Sequence, residues 1–240
     1  MTAAEGCVLG IGLTDAADDK HLEAAYAGFA VEARQISPDY APQTINTDGW
    51  TPTQNAFRSL FPTIAVVLCF LHGFLKIRDR CRKNHDLHRR VWDVYRAATA
   101  EEFHRRMNEL RQWCESQTFT ASVREMLTKL WNQAEEYAVA FDPPNCRRTS
   151  NAVDRPMNRL CRLMYAGRGL HGNQSSSELR IRGWALLINF SPFAPRSNQP
   201  RKHSCPAQRL SGKQYHEHGL HNLNIATSLL GGGKIAPAIR

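Results

Sequence analysis

The sequence has no long uninterrupted apolar segment. Its longest apolar run, Ile64 to Leu71, is eight residues, whereas an α-helix that crosses a bilayer needs ~20. The segment from Met1 to Leu13 has no basic stretch ahead of an apolar one, so we expect no secretory signal peptide. These absences exclude a helical membrane protein and predict a cytoplasmic chain that has no membrane partner.

Paired cysteines are also lacking. The seven cysteines are scattered, form no Cys-x-x-Cys motif and are odd in number. Small secreted domains stabilised by disulfides usually have an even number of cysteines. We therefore expect free thiols and a reducing compartment.

Acidic residues are too few to balance the basic ones. Lys and Arg number 31 against 22 Asp and Glu, so the formal net charge is +9 and the pI is about 9.4. Basic residues are concentrated in Lys76 to Lys83, His88 to Arg90 and Arg147 to Arg182, and the last segment holds eight arginines against two acids. This excess predicts a polyanionic partner such as a phosphate backbone. For the first two segments, a solvated basic surface is the alternative.

Three side chains that could bind a ligand or take part in catalysis follow two predicted strands. Asp48 comes directly after a short β-type run, and Cys69 and His72 lie where the apolar run from Ile64 to Phe70 ends. That run is typical of a strand buried on both faces. Open α/β sheets bind ligands at the carboxyl ends of their strands, so the pattern predicts a site at one sheet edge. Taken singly, Asp48 also fits a turn and Cys69 also fits an apolar core.

A further acid, Asp154, stands in the basic segment from Arg147 to Arg155. Ser150 or Asn151 is a suitable N-cap, which places Asp154 near the first turn of the following helix. An acid there also complements the helix dipole without any further role. Its arginine-rich surroundings favour a metal-binding carboxylate beside a phosphate backbone.

Together these motifs resemble the DDE/D transposases of bacterial insertion sequences and Mutator-like elements. The shared pattern is Asp-Gly, a strand ending in Cys-x-x-His, a long helical interval, and then Thr-Ser-Asn-x-x-Asp-Arg. In that family the second catalytic acid precedes a C/D-x-x-H motif, and a helical insertion precedes the third acid. The resemblance extends from about Gly6 to about Gly232, and each motif is weak by itself.

The resemblance implies a function and a set of site residues. Asp48 would be the second catalytic and metal-binding acid, Asp154 the third, and Cys69 and His72 the accessory pair. The family cleaves and transfers DNA strands with a two-ion Mg²⁺ or Mn²⁺ site, so DNA would be the partner and the nucleoid the location. Five arginines would contact DNA, namely Arg147, Arg148, Arg155, Arg159 and Arg162.

The implied fold is α/β, an RNase H-like catalytic core with an all-helical insertion. In such a core three antiparallel strands and a helix precede the strand that bears the second acid. Helical periodicity predicts that helix over Asp18 to Ile36, which leaves Gly6 to Leu13 as the third strand. The first two strands and the first acid are then missing, so we expect an incomplete core from a truncated or decayed element.

The expected domain organisation follows from the same reading. Residues 1–73 would be the partial core, 74–145 the helical insertion, 146–190 the rest of the core, and 191–240 an irregular, Pro-rich basic arm and tail. The insertion is predicted helical because Phe74 to Tyr137 contains no proline and Thr99 to Glu102 has the form of a capping box. It would position DNA or a second copy of the chain in a homo-oligomer.

Two alternatives of a different class remain open. Cys69-x-x-His72 followed by His85-x-x-His88 has roughly the spacing of a zinc site, so the chain would be a zinc-stabilised nucleic-acid-binding protein. It would otherwise be a regulatory DNA-binding protein that has lost catalytic activity.

We predict that this chain alone neither nicks nor joins DNA in Mg²⁺ or Mn²⁺. The reason is that Asp48 and Asp154 supply at most part of a two-ion site. The measurement is nicking of element-end DNA by the 240-residue chain, beside a version preceded by an Asp-bearing upstream segment. Robust nicking by the shorter chain, abolished by Asp48→Ala, would contradict the prediction.

Overall fold

The computed structural model describes residues 1–3, 6–142, 146–194 and 205–231, with side chains omitted for 229–231. The chain forms two compact units. The sheet unit comprises Ala41–Gln54 and Phe61–Ser150; the helical unit comprises Met1–Tyr40, Asn55–Leu60 and the chain from Asn151 onward. Within the described residues, no helix is long and apolar enough to cross a bilayer.

Helices dominate both units. In chain order the elements are α1 (Asp19–Ile36), β1 (Thr44–Thr47), α2 (Thr51–Leu60), β2 (Ala65–Leu68), α3 (Phe70–Arg80), α4 (His85–Tyr95), α5 (Ala100–Glu115), α6 (Ala121–Asn132), α7 (Ala134–Ala138), a 3-10 turn (Val139–Phe141), α8 (Asn151–Ala166), α9 (Gln174–Phe190), α10 (Pro206–Ser211) and α11 (Gly219–Gly231).

The sheet unit contains a two-stranded parallel sheet. β1 pairs with β2 in a register that runs from Thr44 opposite Ala65 to Thr47 opposite Leu68. Val67 and Leu68 at the end of β2 are buried, as expected of β-branched and aliphatic residues in a covered strand. Both strands end at the same edge because they are parallel.

Helices α3 to α7 form the core of the sheet unit. Leu87, Val91 and Val94 of α4 are almost fully buried and pack with apolar residues of α3, α5 and α6. Half of the predicted capping box is present, since Thr99 Oγ1 accepts a hydrogen bond from the backbone N–H of Glu102 at 3.1 Å. The Glu102 carboxylate accepts from the N–H of Ala98 at 2.7 Å and not from that of Thr99. The predicted helical character of Phe74 to Tyr137 is confirmed.

The helical unit is held by aromatic stacking and by one buried amide. The ring of Tyr26 on α1 stacks on Phe57, with ring centroids 4.6 Å apart. The Asn189 side chain on α9 accepts from Val8 N at 2.7 Å and donates to Val8 O at 2.8 Å. It therefore satisfies both backbone groups of Val8, as a neighbouring strand would.

The expectation of a third strand over Gly6 to Leu13 is wrong. This segment forms no strand, and its one β-type pairing is an isolated antiparallel bridge between Thr2 and Val8. Gly6 has φ +86°, which is outside the extended region. The Asn189 amide also takes the place of a strand partner. The coarser expectation of strands and helices together holds, whereas the RNase H-like core stays a prediction.

The segment predicted as an irregular arm contains helices. α10 begins with Pro206 at its first position, where a missing N–H costs nothing. α11 lies further along the same segment and begins at Gly219. The rest of the predicted arm and tail, residues 195–204 and 232–240, lies outside the described residues.

We predict that Gly73→Ala lowers the free energy of unfolding by about 1–3 kcal/mol through overpacking. Alanine would otherwise favour the α3 helix by ~1 kcal/mol. The predicted destabilisation arises because a Cβ at Gly73 would lie 2.8 Å from Tyr137 Oη. Tyr137 is buried against the Phe70 ring at 5.2 Å between centroids, so its ring has little room to move.

The matched background is Tyr137→Phe, which removes the oxygen that the new Cβ would meet. In that background Gly73→Ala should be neutral or stabilising. A double-mutant cycle measured by urea unfolding compares the two. Equal effects of Gly73→Ala in both backgrounds would contradict this explanation.

Candidate functional site

The candidate site lies at the edge where both strands end. Thr47 and Leu68 are the last paired residues, so Asp48 and Cys69 are the first residues beyond the sheet on the two chains. The N–H of Cys69 donates to Thr47 O at 2.8 Å, which continues the ladder by one bond. The sequence-based placement of Asp48 and Cys69 at one edge is therefore confirmed.

Asp48 presents an exposed carboxylate at this edge. Its Oδ1 accepts a hydrogen bond from Trp50 N at 3.1 Å, and Gly49 has φ +90°, which favours glycine. This is the turn that an Asp-Gly pair favours. The turn holds the carboxylate in place and leaves oxygen atoms open to solvent, so the turn and a ligand role are compatible.

Cys69 and His72 are joined through Ser150. Cys69 is buried, and its Sγ accepts from Ser150 N at 3.2 Å and lies 3.4 Å from Ser150 Oγ. The same hydroxyl lies 3.4 Å from His72 Nδ1. The Cys-x-x-His pair therefore holds Ser150, a residue about 80 positions later in the chain. Because Cys69 is buried, its thiol has a structural role and is not an accessible nucleophile.

The segment before Ser150 is fixed to the same edge by its backbone. Asn46 Nδ2 on β1 donates to Arg147 O at 2.7 Å. Phe70 N, the first N–H of α3, donates to Arg148 O at 3.0 Å. The first N–H groups of a helix lack partners within it, so this segment satisfies one of them. Sequence reasoning considered Ser150 only as a helix cap; the Thr-Ser-Asn motif was its one signal.

Arg148 is held by internal contacts. Its Nη1 donates to Tyr95 O at 2.6 Å and to Ala97 O at 2.7 Å. The guanidinium also lies over the Tyr95 ring at 4.9 Å and the Phe141 ring at 5.0 Å. These contacts give Arg148 a structural role at the end of α4, and its predicted contact with DNA stays a prediction.

The remaining predicted residues lie on α8 of the helical unit. Asp154 falls in the first turn, as predicted, and is half-buried. Arg155, Arg159 and Arg162 are exposed, and none of them has a hydrogen-bond or ion-pair partner among the described residues. Their spacing of four and three residues places them on one face of the helix. Asp48 and Asp154 belong to different units, and their convergence stays a prediction.

The proposed zinc ligands do not come together. Cys69 directly precedes α3 and Cys81 directly follows it, so about 18 Å of helix separates them at 1.5 Å per residue. His88 Nε2 lies 3.8 Å from Cys81 Sγ, at the end of α3 that is far from Cys69 and His72. A site built from both pairs does not fit this geometry.

A two-ion site is not formed by the sheet edge alone. Among the described residues, no group of three or more His, Cys, Asp or Glu side chains is arranged to hold a metal ion. Asp48 could supply one hard oxygen ligand to Mg²⁺, and its neighbours Cys69 and His72 are engaged with Ser150. We therefore derive no catalytic step through a metal ion.

Comparison of the chain with protein-family models, with curated proteins and with solved structures gave no match in any of the three. The resemblance to DDE/D transposases thus rests on the sequence motifs of this chain.

We predict that Arg148→Lys destabilises the sheet unit by about 1.5–3 kcal/mol, the usual worth of hydrogen bonds to charged groups. Lysine keeps the charge but cannot reproduce the planar stacking on two rings. The matched control is Arg147→Lys, because Arg147 is exposed and its side chain makes no hydrogen bond or ion pair with the described residues. Urea unfolding measures both. Equal stability of the two variants would contradict a structural role for Arg148.

Proposed function

We propose that this chain is a DNA-binding protein of the DDE/D transposase type, whose family carries out DNA strand cleavage and transfer. The observation that carries the proposal is the contact of Ser150 with Cys69 and His72. Two motifs of the resemblance, far apart in sequence, meet beside the strand end that bears Asp48. Independent short matches have no reason to meet at one edge.

The chemistry of the edge supports a role toward phosphate esters. Strand transfer is a displacement at phosphorus, and an exposed carboxylate that follows a parallel strand is suited to an acid of such a site. Asp48 is placed by its turn, and Ser150 by the buried thiol and the imidazole. For Asp154 the proposal rests on its motif and not on a distance.

The charge of α8 supports DNA as the partner. Arg155, Arg159 and Arg162 form an exposed row and have no ion pair with any residue that the structure describes. Arginine guanidinium groups suit phosphate oxygens because their donors match the geometry of the anion. Such a row gives affinity for the backbone irrespective of base sequence.

A regulatory DNA-binding protein without catalysis is the second candidate. It is favoured by one observation, since the described part of the chain has no three-acid group suited to metal ions. Both candidates bind DNA, and they differ in the consequence of Asp48→Ala. In the version that is preceded by an Asp-bearing upstream segment, strand transfer that Asp48→Ala abolishes while DNA affinity is retained supports the transposase type. A version that binds DNA and never transfers strands supports the regulatory candidate.

We predict duplex binding that weakens steeply as salt rises and is insensitive to base sequence. Charge reversal at Arg155, Arg159 and Arg162 should reduce the slope of log K against log salt by about 2.7, or ~0.9 per phosphate contact. Fluorescence anisotropy with two unrelated duplexes measures both effects.

The control reverses three exposed arginines that already pair with carboxylates in the sheet unit, namely Arg96, Arg105 and Arg111. This control variant changes the net charge by the same amount as the α8 triple variant. If both triple variants lose affinity equally, only overall charge matters and the α8 row has no specific role.

A further inference from the structure

An open groove in the sheet unit joins the turn between α3 and α4 to the start of α6. Its volume is about 750 Å³. Three basic side chains of the turn, Arg80, Arg82 and Lys83, line one side. Thr118 and Thr120 line the other and present hydroxyl groups. We name this feature the turn groove.

The positive charge of the turn groove is only partly balanced by carboxylates of the chain. Arg82 and Lys83 are exposed, and neither side chain has a hydrogen-bond or ion-pair partner in the described part of the chain. Arg80 donates to the carbonyl of Lys76 at 3.1 Å, which is a neutral acceptor. The one acid that lines the groove, Asp86, pairs with Arg89 at 3.1 Å. The hydrogen bond and charge of Lys129 lower the pKa of the Glu125 carboxyl, and Arg80 is close enough for its charge to lower that pKa further. The charges left for an anion from outside are therefore those of Arg82 and Lys83.

Two helices begin at the groove. α4 starts at His85 and α6 at Ala121, and residues at both starts, His85 and Thr120 among them, line the groove. The N-terminus of a helix carries the positive end of its dipole. Thr120 makes no side-chain cap at the start of α6, and the first turn of that helix contains no acid. The N–H groups of Val123 and Arg124 donate to Thr120 O. Those of Ala121 and Ser122 have no partner among the described residues, so they keep donor capacity that a phosphate oxygen could use.

The imidazole of His88 lies beside the groove, 3.8 Å from the thiol of Cys81, which is a lining residue. Burial lowers the pKa of His88, and the positive charges of His85 and Arg78 lower it further. Three cationic side chains within four residues, beside two helix N-termini, form a concave positive surface. Such a surface raises the local concentration of anions.

We propose that the turn groove binds phosphate groups of a nucleic-acid backbone. The identity of the polyanion rests on the proposed function, whereas the anion preference rests on the groove itself. Phosphate fits better than an acidic peptide or a lipid surface because the lining combines point charges, hydroxyl groups and helix N-termini. Arg82 and Lys83 would contribute charge, and Thr118 and Thr120 would donate hydrogen bonds.

The test is the double variant Arg82→Gln, Lys83→Gln in the full chain. Both residues are exposed in a turn, and circular dichroism with urea unfolding checks that the fold is kept. Duplex affinity at 0.1 M salt should fall about tenfold or more, and the salt slope should fall by about 1.8 for two lost contacts. The matched control is Arg105→Gln, Arg111→Gln, which removes the same charge from arginines paired with Glu109 and Glu115. The control should change the affinity less than twofold.

A second probe separates this inference from the proposed function. Sodium tripolyphosphate is titrated into the isotope-labelled chain, and backbone amide shifts are followed by NMR. Shifts at residues 82–85 and 120–123, absent in the double variant, support the groove. Duplex binding that is unchanged in the double variant overturns the groove and leaves the proposed function intact. A chain that binds tripolyphosphate at the groove but no duplex overturns both the proposed function and the nucleic-acid assignment. Binding of neither probe overturns the groove as an anion site.

Discussion

The sheet unit depends on the way Arg148 connects two helix ends. Its guanidinium donates to carbonyls at the carboxyl end of α4, where the negative end of the dipole favours a cation. Its own carbonyl accepts the first N–H of α3. One residue thus satisfies groups that helix geometry leaves without partners at both places. Stacking on Tyr95 and Phe141 shields these bonds from water, which strengthens them.

The geometry of the candidate site follows from that connection. Ser150 is two residues beyond Arg148, and Cys69 immediately precedes Phe70, whose N–H bonds to Arg148. The fixed position of Arg148 therefore places Ser150 next to the thiol and the imidazole of the Cys-x-x-His motif. The motif acts here as an anchor for the chain that leads into α8. Asp48 is placed independently, by the register of β1 and by its own turn.

Local patterns predicted the local features of this structure and missed the long-range ones. Helical periodicity located α1 within one residue, the N-cap signal located the start of α8, and the β-branched run located β2. The failed third strand at Gly6 to Leu13 shows the limit, because an apolar run with glycines does not encode its partner. The bonds of Asn189 to Val8 span 181 residues, and those of Arg148 to Tyr95 span 53. Such hydrogen bonds between a side chain and the backbone produce no periodic pattern in the sequence. The sequence alone therefore does not show which polar residues have a structural role.

The same limit applies to net charge as a guide to DNA binding. The +9 charge predicts a polyanionic partner but treats every arginine alike. The structure separates them: Arg105 is paired with Glu109, Arg148 is bonded to backbone carbonyls, and Arg82 makes no such contact in the described part of the chain. A paired or bonded arginine must break an internal contact before it can bind phosphate, whereas an unpaired one exchanges only water and counterions. Binding should therefore concentrate where unpaired cations cluster, on α8 and at the turn groove, and not where arginine is most frequent in the sequence.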